Sequence, residues 1–453
     1  MAVSKKKIIL IRNMASFWIF GLCNNYAYFT MLSAAVDIIG KQQHKEKNDT
    51  ENYCLKVIIE SHCSSISTGA VLLADIIPML LITIICPFFI QKIPFGIRHG
   101  IVCTLQVVCY LIVAYSTSTA MSLTGVVFAS MGTGLGAITY IPLSSHFPRS
   151  MLSIWSSGTG GAGIIGSLAY AGLTEPHFAN LSPETTCLIM LIVPVIFAVT
   201  YWFLMVIPDT VHQVRLFEPR TWLVTDPDLS TASSTEEIHP HVTSEVDWSV
   251  EDTKAGKLEP TDSSESGFVK QRKLSFKEQL LLIMLMTKYT LPPAIVFAAE
   301  YLINQGLTEL IYFDCSHGFY LSTNSQYRWY QVLYQLGGFF SRSSINIYKL
   351  PFWATILLPM LQIINAVFFT FGAVYFFVPH IWIIFILILY EGLLGGSSYA
   401  NSYDKIHHEV APDVREFCLS AAGMSDVVGV VVAGFAAIPL HNFVCNQQKY
   451  HIH

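Results

Sequence analysis

Charge is what this sequence is shortest of. Only 13% of its 453 residues are Asp, Glu, Lys or Arg, against 53% hydrophobic. An ordinary soluble domain carries about 25% charged residues. Whole stretches, such as 352–377 and 381–390, carry none. A soluble enzyme is thereby excluded, and no nucleic acid is expected as a partner, because no basic face is available to hold one. Catalytic signatures are missing too: there is no H-E-x-x-H, no C-x-x-C and no G-x-S-x-G. The glycine run WSSGTGGAG at 155–163 lacks the Lys-Ser/Thr that completes a phosphate-binding loop, and it follows no strand-like segment. Ten cysteines in a chain of 453 make no dense disulfide framework. No enzymatic activity, cofactor or metal is expected.

What is present is apolar length. About 20 apolar residues span a bilayer as a helix, and runs of that order recur near 16–39, 66–90, 100–116, 122–143, 152–173, 186–207, 280–303 (extending toward 313), 327–347, 352–377, 381–399 and 417–440. The runs are continuous rather than alternating, which argues against a β-barrel. The expectation is an all-α polytopic membrane protein of about eleven transmembrane helices. The N-terminal MAVSKKKIIL precedes a run long enough to span and has no A-x-A-type cleavage site, so it reads as an uncleaved first helix. Pro78, Pro87, Pro142, Pro292 and Pro293 fall within or at the ends of spans, where neighbouring helices can re-satisfy the backbone.

Lys and Arg set the orientation. Lys5, Lys6, Lys7 and Arg12 place the N-terminus in the cytosol. Lys92, Arg98, Arg149, Arg342, Lys349, Lys405 and Arg415 then fall on the same side, and Lys41, Lys45, Lys47, Lys56 and Arg328 on the other. Two glycosylation sequons, at Asn48 and Asn180, fall on the non-cytosolic side. So do Cys54, Cys63, Cys315 and Cys445, with Cys54–Cys63 the local pairing expected, while the membrane cysteines read as packing residues. His44, His62, His177, His317, His380 and His441 read as solvated loop histidines on that side.

The segment 209–278 is rich in Ser, Thr, Glu and Asp and cannot bury a core, so it reads as a disordered cytosolic loop able to hold trafficking partners. It separates a six-helix half, 1–208, from a five-helix half, 279–441, with a polar tail at 442–453. Similar features recur in order in the two halves: Gly132, Gly134 and Gly136 against Gly392, Gly395 and Gly396; the run at 155–163 against the Ala/Gly/Ser-rich last span; Asn24 and Asn25 against Asn304 and Gln305. This is a major-facilitator-like arrangement of 6+5 helices.

An ionisable residue at the centre of a membrane helix costs about 2.5–3.5 kcal/mol on insertion scales, so each one asks for a reason. Asp75, Glu300, Arg342, Glu391 and Asp426 lie in or at the ends of spans. Glu300 and Asn304 are four apart and share a helix face, with Gln305 beside them. Tyr327, Gln331, Tyr334 and Gln335 form a polar-aromatic stripe, and Tyr390 adjoins Glu391. One reading is a polar pathway between the halves, in which Arg holds an anionic substrate and a carboxylate such as Glu300 exchanges protons. The other is a set of structural pairs and interfacial anchors. Ser157, Gly158, Thr159, Gly160, Gly163 and Gly166, with Gly395 and Gly396, read as a close-packing or gating surface. Ser156, Ser157 and Thr159 are also candidate donors to an anion.

The stretches FGLCNNYAYFTMLSAA, STGAVLLADI, WSSGTGGAG, AEYLINQGLTEL, QYRWYQVLYQLG, SRSS, ILYEGLLGG and DVREFCLSAA resemble the battenin family of neuronal ceroid lipofuscinosis. The resemblance covers nearly all the membrane segments. It implies a lysosomal and late-endosomal, glycosylated membrane protein with a major-facilitator-like fold. It further implies a transporter that clears small anionic glycerophosphodiesters from the lysosome, with links to lysosomal pH, to protons and to basic amino acids. The family's disease-sensitive Glu, Arg and Asp fall on Glu300, Arg342 and Asp426. The chain departs from its relatives in three places. Cys445 is followed by NQQKYHIH and makes no prenylation box. The acidic dileucine pattern of Glu278, Leu282 and Ile283 enters a membrane helix. The N-terminus is basic. A basic amino-acid transporter and a non-transporting trafficking scaffold are the alternatives.

Overall fold

The computed structural model describes residues 2–40, 54, 63, 67–86, 90, 93–144, 146–148, 150–208, 211, 214, 275–346, 348–411 and 414–451. Asn48, His44, His62, Pro87, Lys92, Arg149 and almost all of the 209–278 loop lie outside them. The first half contains α1 (Ala2–Ser33), the short α2 (Ala35–Gly40), α3 (Gly69–Ile85), α4 (Phe95–Ala114), α5 (Thr119–Ser144), α6 (Ser150–Thr174), α7 (Pro183–Ile189) and α8 (Ile192–Val199). The second contains α9 (Phe276–Leu302), α10 (Thr323–Ser343), α11 (Phe352–Tyr375), α12 (Ile381–Glu409) and α13 (Arg415–His451). Among the described residues, seven helical stretches are long and apolar enough to cross a membrane. The protein is an all-α multi-pass membrane protein. The helices α1, α6 and α10 are long but less uniformly apolar, and they are the ones wedged between other helices.

Local chemistry sets the helix starts. Ser275 accepts from the Glu278 N–H at 3.4 Å while Glu278 accepts from the Ser275 N–H at 2.8 Å, a capping box that opens α9. The second half therefore begins at Ser275 rather than 279, and Glu278 of the dileucine pattern is spent on this cap. Ser182 caps α7 with Pro183 in its first turn. The sixth span is not one helix. It breaks between α7 and α8 and ends in a π turn, Thr200–Leu204. At Pro78 the next backbone N–H, that of Met79, is taken by Ser130 Oγ at 2.9 Å, and Gly134 lets α5 close on that point.

Helix pairings repeat in the two halves. The pair α1–α6 corresponds to α9–α13, α3–α5 to α10–α12, and α4–α5 to α11–α12. The halves meet along α6–α10 and α3–α13. In the first half, α7 and α8 cover α4. The corresponding flank of α9 and α11 carries an open apolar groove of about 400 Å³, lined by residues such as Ala299, Ala366 and Ala436.

The disulfides differ from the local expectation. Cys54 bonds Cys315 and Cys63 bonds Cys445, so the first loop is tied to the second half, not to itself. The stretch from 442 onward is helical to His451 rather than a tail. Its buried Gln448 is held internally, donating to Leu310 O at 3.2 Å and to Ala373 O at 2.8 Å.

The loop after α9 is pinned by Asp314. Burial works against its charge, but the His317 N–H at 2.9 Å, the Ser316 hydroxyl at 2.8 Å and the His317 ring at 2.8 Å outweigh it and hold the carboxyl below its usual range. His317 and His177 are exposed, each beside a carboxylate, and His380 caps α12. His441 is not a solvated loop residue. It is buried, with Nε2 3.6 Å from Glu309 Oε1.

Candidate functional site

The run at 155–163 lies inside an unbroken α6, so it offers no helix N-terminus to an anion, and Thr159 donates its hydroxyl to Ser156 O at 2.7 Å. Two faces of α6 do two jobs. A Cβ on Gly158 would strike the Trp18 carbonyl, one on Gly161 would come within 3.2 Å of the Trp18 ring, and one on Gly166 within 3.4 Å of Thr30 and Tyr26 O, all on α1. On the other face, Gly160 meets Phe339 at 3.4 Å and Arg342 at 3.8 Å, and Gly163 abuts Gln335, all on α10. Small residues let three backbones converge.

The second half builds the polar cluster. After α9 the backbone widens into a π turn, Ile303–Leu307, a distortion common at functional sites. It turns Asn304 and Gln305 different ways. Asn304 Nδ2 donates to Glu391 Oε1 at 2.9 Å, whereas Gln305 Oε1 lies 3.1 Å from the Tyr327 hydroxyl. Gln331 donates to Asn304 O at 3.3 Å. Tyr334 donates to Glu300, whose carboxylate fills the space a Cβ on Gly395 would take. Gly396 makes room for Ser341 and for Arg342 Cγ at 3.2 Å. The Arg342 guanidinium lies over the Tyr399 ring at 5.0 Å, a cation–π placement. Tyr403 donates to Asp426 Oδ2 at 3.0 Å. Arg342 and Asp426 both lie within electrostatic range of Glu300.

Each of these groups keeps something in reserve. Glu300 Oε2, Asn304 Oδ1, Glu391 Oε2, Arg342 Nε and Asp426 Oδ1 are buried atoms without a hydrogen-bond partner. Buried polar atoms are almost always paired, so each of these exceptions asks for a reason. In the first half, Asp75 is fully buried and neither of its oxygens has a partner. Between Asp75 and Glu300 stands a hydroxyl pair, Tyr28 donating to Tyr301 at 3.1 Å, and Tyr28 feels both carboxylates.

The structure thus gathers Glu300, Asn304, Glu391, Arg342, Asp426 and the α10 stripe, and leaves others outside. Tyr390 is 36% exposed on the outer face of α12 and is not part of the cluster. Asn24 packs within the first half, its Nδ2 donating to Thr133 O at 3.1 Å with Gly136 against it, while its Oδ1 is buried without a partner. Asn25 donates to Gly21 O on its own helix at 3.0 Å. Asn180 is exposed in a turn, in the left-handed region at φ 48°. Sequence reading missed Asp37, Tyr28, Tyr399, Tyr403 and Glu309. Asp37 was visible as a lone carboxylate at the end of an apolar run, and Glu309 lay inside the stretch AEYLINQGLTEL.

Comparison with known proteins bears on the family and the fold. The chain is 37% identical over 449 residues to battenin of Canis lupus familiaris, covering 98% of this chain and 93% of that one. It is 33% identical over 447 residues to Protein btn-1 of Neurospora crassa, covering 96% and 89%. Among solved structures, a POT family transporter in complex with a thioalcohol-conjugated peptide superposes with TM-score 0.56 at 9% identity, over 97% of this chain and 94% of that one. A bacterial homologue of the human lysosomal transporter Spinster, inward-facing and unoccupied, superposes with TM-score 0.52 at 12% identity, over 94% and 80%. The fold is that of major-facilitator-like transporters. The sequence profile of the CLN3 protein family matches residues 15–447, and the chain belongs to that family.

Proposed function

We propose that this membrane transporter moves small anionic glycerophosphodiesters out of the lysosome, through the cluster around Arg342 and Glu300. The observation that carries the reading is the set of unpaired buried atoms contributed by α9, α10, α12 and α13 at the surface between the halves. Arg342 is the anion ligand: its planar fork fits a phosphodiester, and Tyr399 holds it in place. Glu300 is the group poised to exchange protons, since one oxygen is held by Tyr334 and the other is unpaired. The Lys and Arg pattern places the N-terminus in the cytosol and the disulfide end in the lumen, where an oxidising compartment favours the two bonds. The exposed Asn180 belongs to that lumenal side.

One observation favours a second substrate class. Four buried carboxylates, Glu300, Glu391, Asp426 and Asp75, stand against one half-buried Arg342, a balance that suits a cationic amino acid. Uptake into vesicles reconstituted with the purified protein separates the two. Glycerophosphocholine, glycerophosphoglycerol and arginine are offered in turn, with and without a pH gradient. The first reading expects both phosphodiesters to be carried and Arg342→Ala to raise KM by about tenfold, the equivalent of one charge-assisted hydrogen bond. Arginine uptake alone would establish the second. Uptake of none of the three would leave the scaffold reading, with partners on the 209–278 loop.

A further inference from the structure

We infer that two carboxylates, Asp37 and Glu309, are the paired latches of a gate that shuts the disulfide end of the transport path. Asp37 lies on α2, just past the end of α1. Arg328 of α10, in the other half, grips it with two bonds, Nη2 to Oδ1 at 2.6 Å and Nε to Oδ2 at 3.1 Å. Tyr170 donates to the same carboxylate at 2.9 Å, and Arg328 Nη1 reaches Thr174 O at 3.5 Å. Both ion-pair side chains are only 9% exposed. A two-point guanidinium–carboxylate contact fixes orientation as well as distance, and a pair this dry resists separation more than a surface pair does.

Glu309 follows α9 in a single 3-10 turn, Thr308–Leu310. Its carboxylate accepts from the Thr68 N–H at 3.2 and 3.3 Å and from the Ser67 hydroxyl at 3.1 Å. Thr68 Oγ1 in turn donates to Gln305 O at 2.8 Å. The N-cap residue of α3, Thr68, makes no side-chain cap of its own. Its cap is supplied by the opposite half, with negative charge where a helix N-terminus favours it. His441 stands behind Glu309, with Nε2 3.6 Å from Oε1.

The two contacts occupy equivalent places. In each half the first long helix ends near a carboxylate, and that carboxylate crosses to the start of the second long helix of the other half: Asp37 to α10, Glu309 to α3. Hydrogen bonds and an ion pair join the halves at this end, and the Tyr28–Tyr301 pair joins them centrally. The disulfides Cys54–Cys315 and Cys63–Cys445 join the halves covalently. Halves that rock against each other need contacts that form at one end and release together, and these two have that placement. The inference rests on the transporter fold and not on the identity of the substrate.

The test places a reporter by Gln331→Cys, one turn inward from Arg328, with the six free cysteines replaced. A membrane-impermeant maleimide is applied to sided vesicles from the disulfide end. Asp37→Asn and Glu309→Gln should each speed labelling about tenfold, and the double variant more, as expected when a closed population loses one of its stabilising contacts. The charge exchange Asp37→Arg with Arg328→Asp should restore slow labelling. Glu309→Gln keeps an acceptor for the Thr68 N–H and serves as the folded variant if Asp37→Asn is not recovered. Labelling no faster in folded Glu309→Gln or in the double variant than in the parent overturns the proposal, as does an exchanged pair that labels as fast as Asp37→Asn. Because labelling needs no substrate, failure of the phosphodiester reading leaves this result interpretable.

Discussion

The two halves share a helix plan and differ in what they bury. The first half closes around aromatic rings: His99 stacks on Tyr201 with centroids 4.5 Å apart, Phe20 stacks on Tyr140 at 5.0 Å, and Phe197 lies against both His99 and Tyr140. His99 is satisfied there, its Nδ1 2.6 Å from the Tyr140 hydroxyl. The second half places Glu300, Glu391, Asp426 and Arg342 around one space and leaves each partly unpaired. We propose that the first half serves as a wall with a smooth glycine face and the second as the half that carries the charged cluster. In the first half Asp75 is buried with both oxygens unpaired, while Asp37 is paired across to Arg328.

The largest expected effect tests what the halves share. Gly158→Leu in α6 would drive a side chain into the Trp18 backbone, and Gly392→Leu in α12 would drive one into the Tyr334 backbone. Overpacking of a core costs about 1–3 kcal/mol and more where the obstacle is main chain. Both variants should fail to give a monodisperse protein in detergent, while Gly172→Leu, with nothing within 4 Å, should be recovered normally. Equal tolerance of all three would undo the close-packing account.

Next comes the asymmetry itself. Glu300→Gln keeps an acceptor for Tyr334 but removes the charge, so uptake should fall about tenfold or more with the melting temperature within a few degrees of the parent. Asp75→Asn should cost less. Should Asp75→Asn prove the more damaging of the two in the same vesicle assay, the division between wall and equipped half is wrong.

A smaller effect concerns pH at the loop after α9. Asp314 is held below its ordinary value of 3.8, so its contribution is present above that pH and is lost only as pH falls through the still lower folded value. Asp314→Asn should therefore speed amide exchange in the 314–318 turn at pH 5 and at pH 7 alike, and make little difference near pH 2. A difference that appears only at low pH contradicts the sign. The smallest effect is at Tyr390. Because it faces outward, Tyr390→Phe should leave uptake and melting temperature within error, and a tenfold loss of uptake would return it to the pathway.

Much of the fold was legible because apolar length and small-residue spacing are local properties. The long helices overlap the runs that composition already marked, though several extend past them, and the recurrence of Gly132, Gly134 and Gly136 in Gly392, Gly395 and Gly396 signalled two halves. Part of the site was legible for the same reason: Glu300, Glu391 and Asp426 are conspicuous in apolar surroundings, and the Tyr327–Gln335 stripe repeats at helical spacing. Tyr390 was misplaced because adjacency to Glu391 in sequence is a turn of about 100° on a helix, enough to move from the interior to the lipid face.

The sequence by itself determined that the chain lives in a membrane, that it has two helical halves, and which residues are too polar to be there without cause. It did so because the bilayer penalises charge and unpaired backbone wherever they occur along the chain. Only the tertiary structure decided the partners. Cys54 met Cys315 and not Cys63, Asp37 met Arg328 across 291 positions, and Glu309 capped a helix 241 positions away. Pairing depends on where helix ends arrive in space, and a π turn at Ile303–Leu307 redirects side chains in a way no local periodicity records.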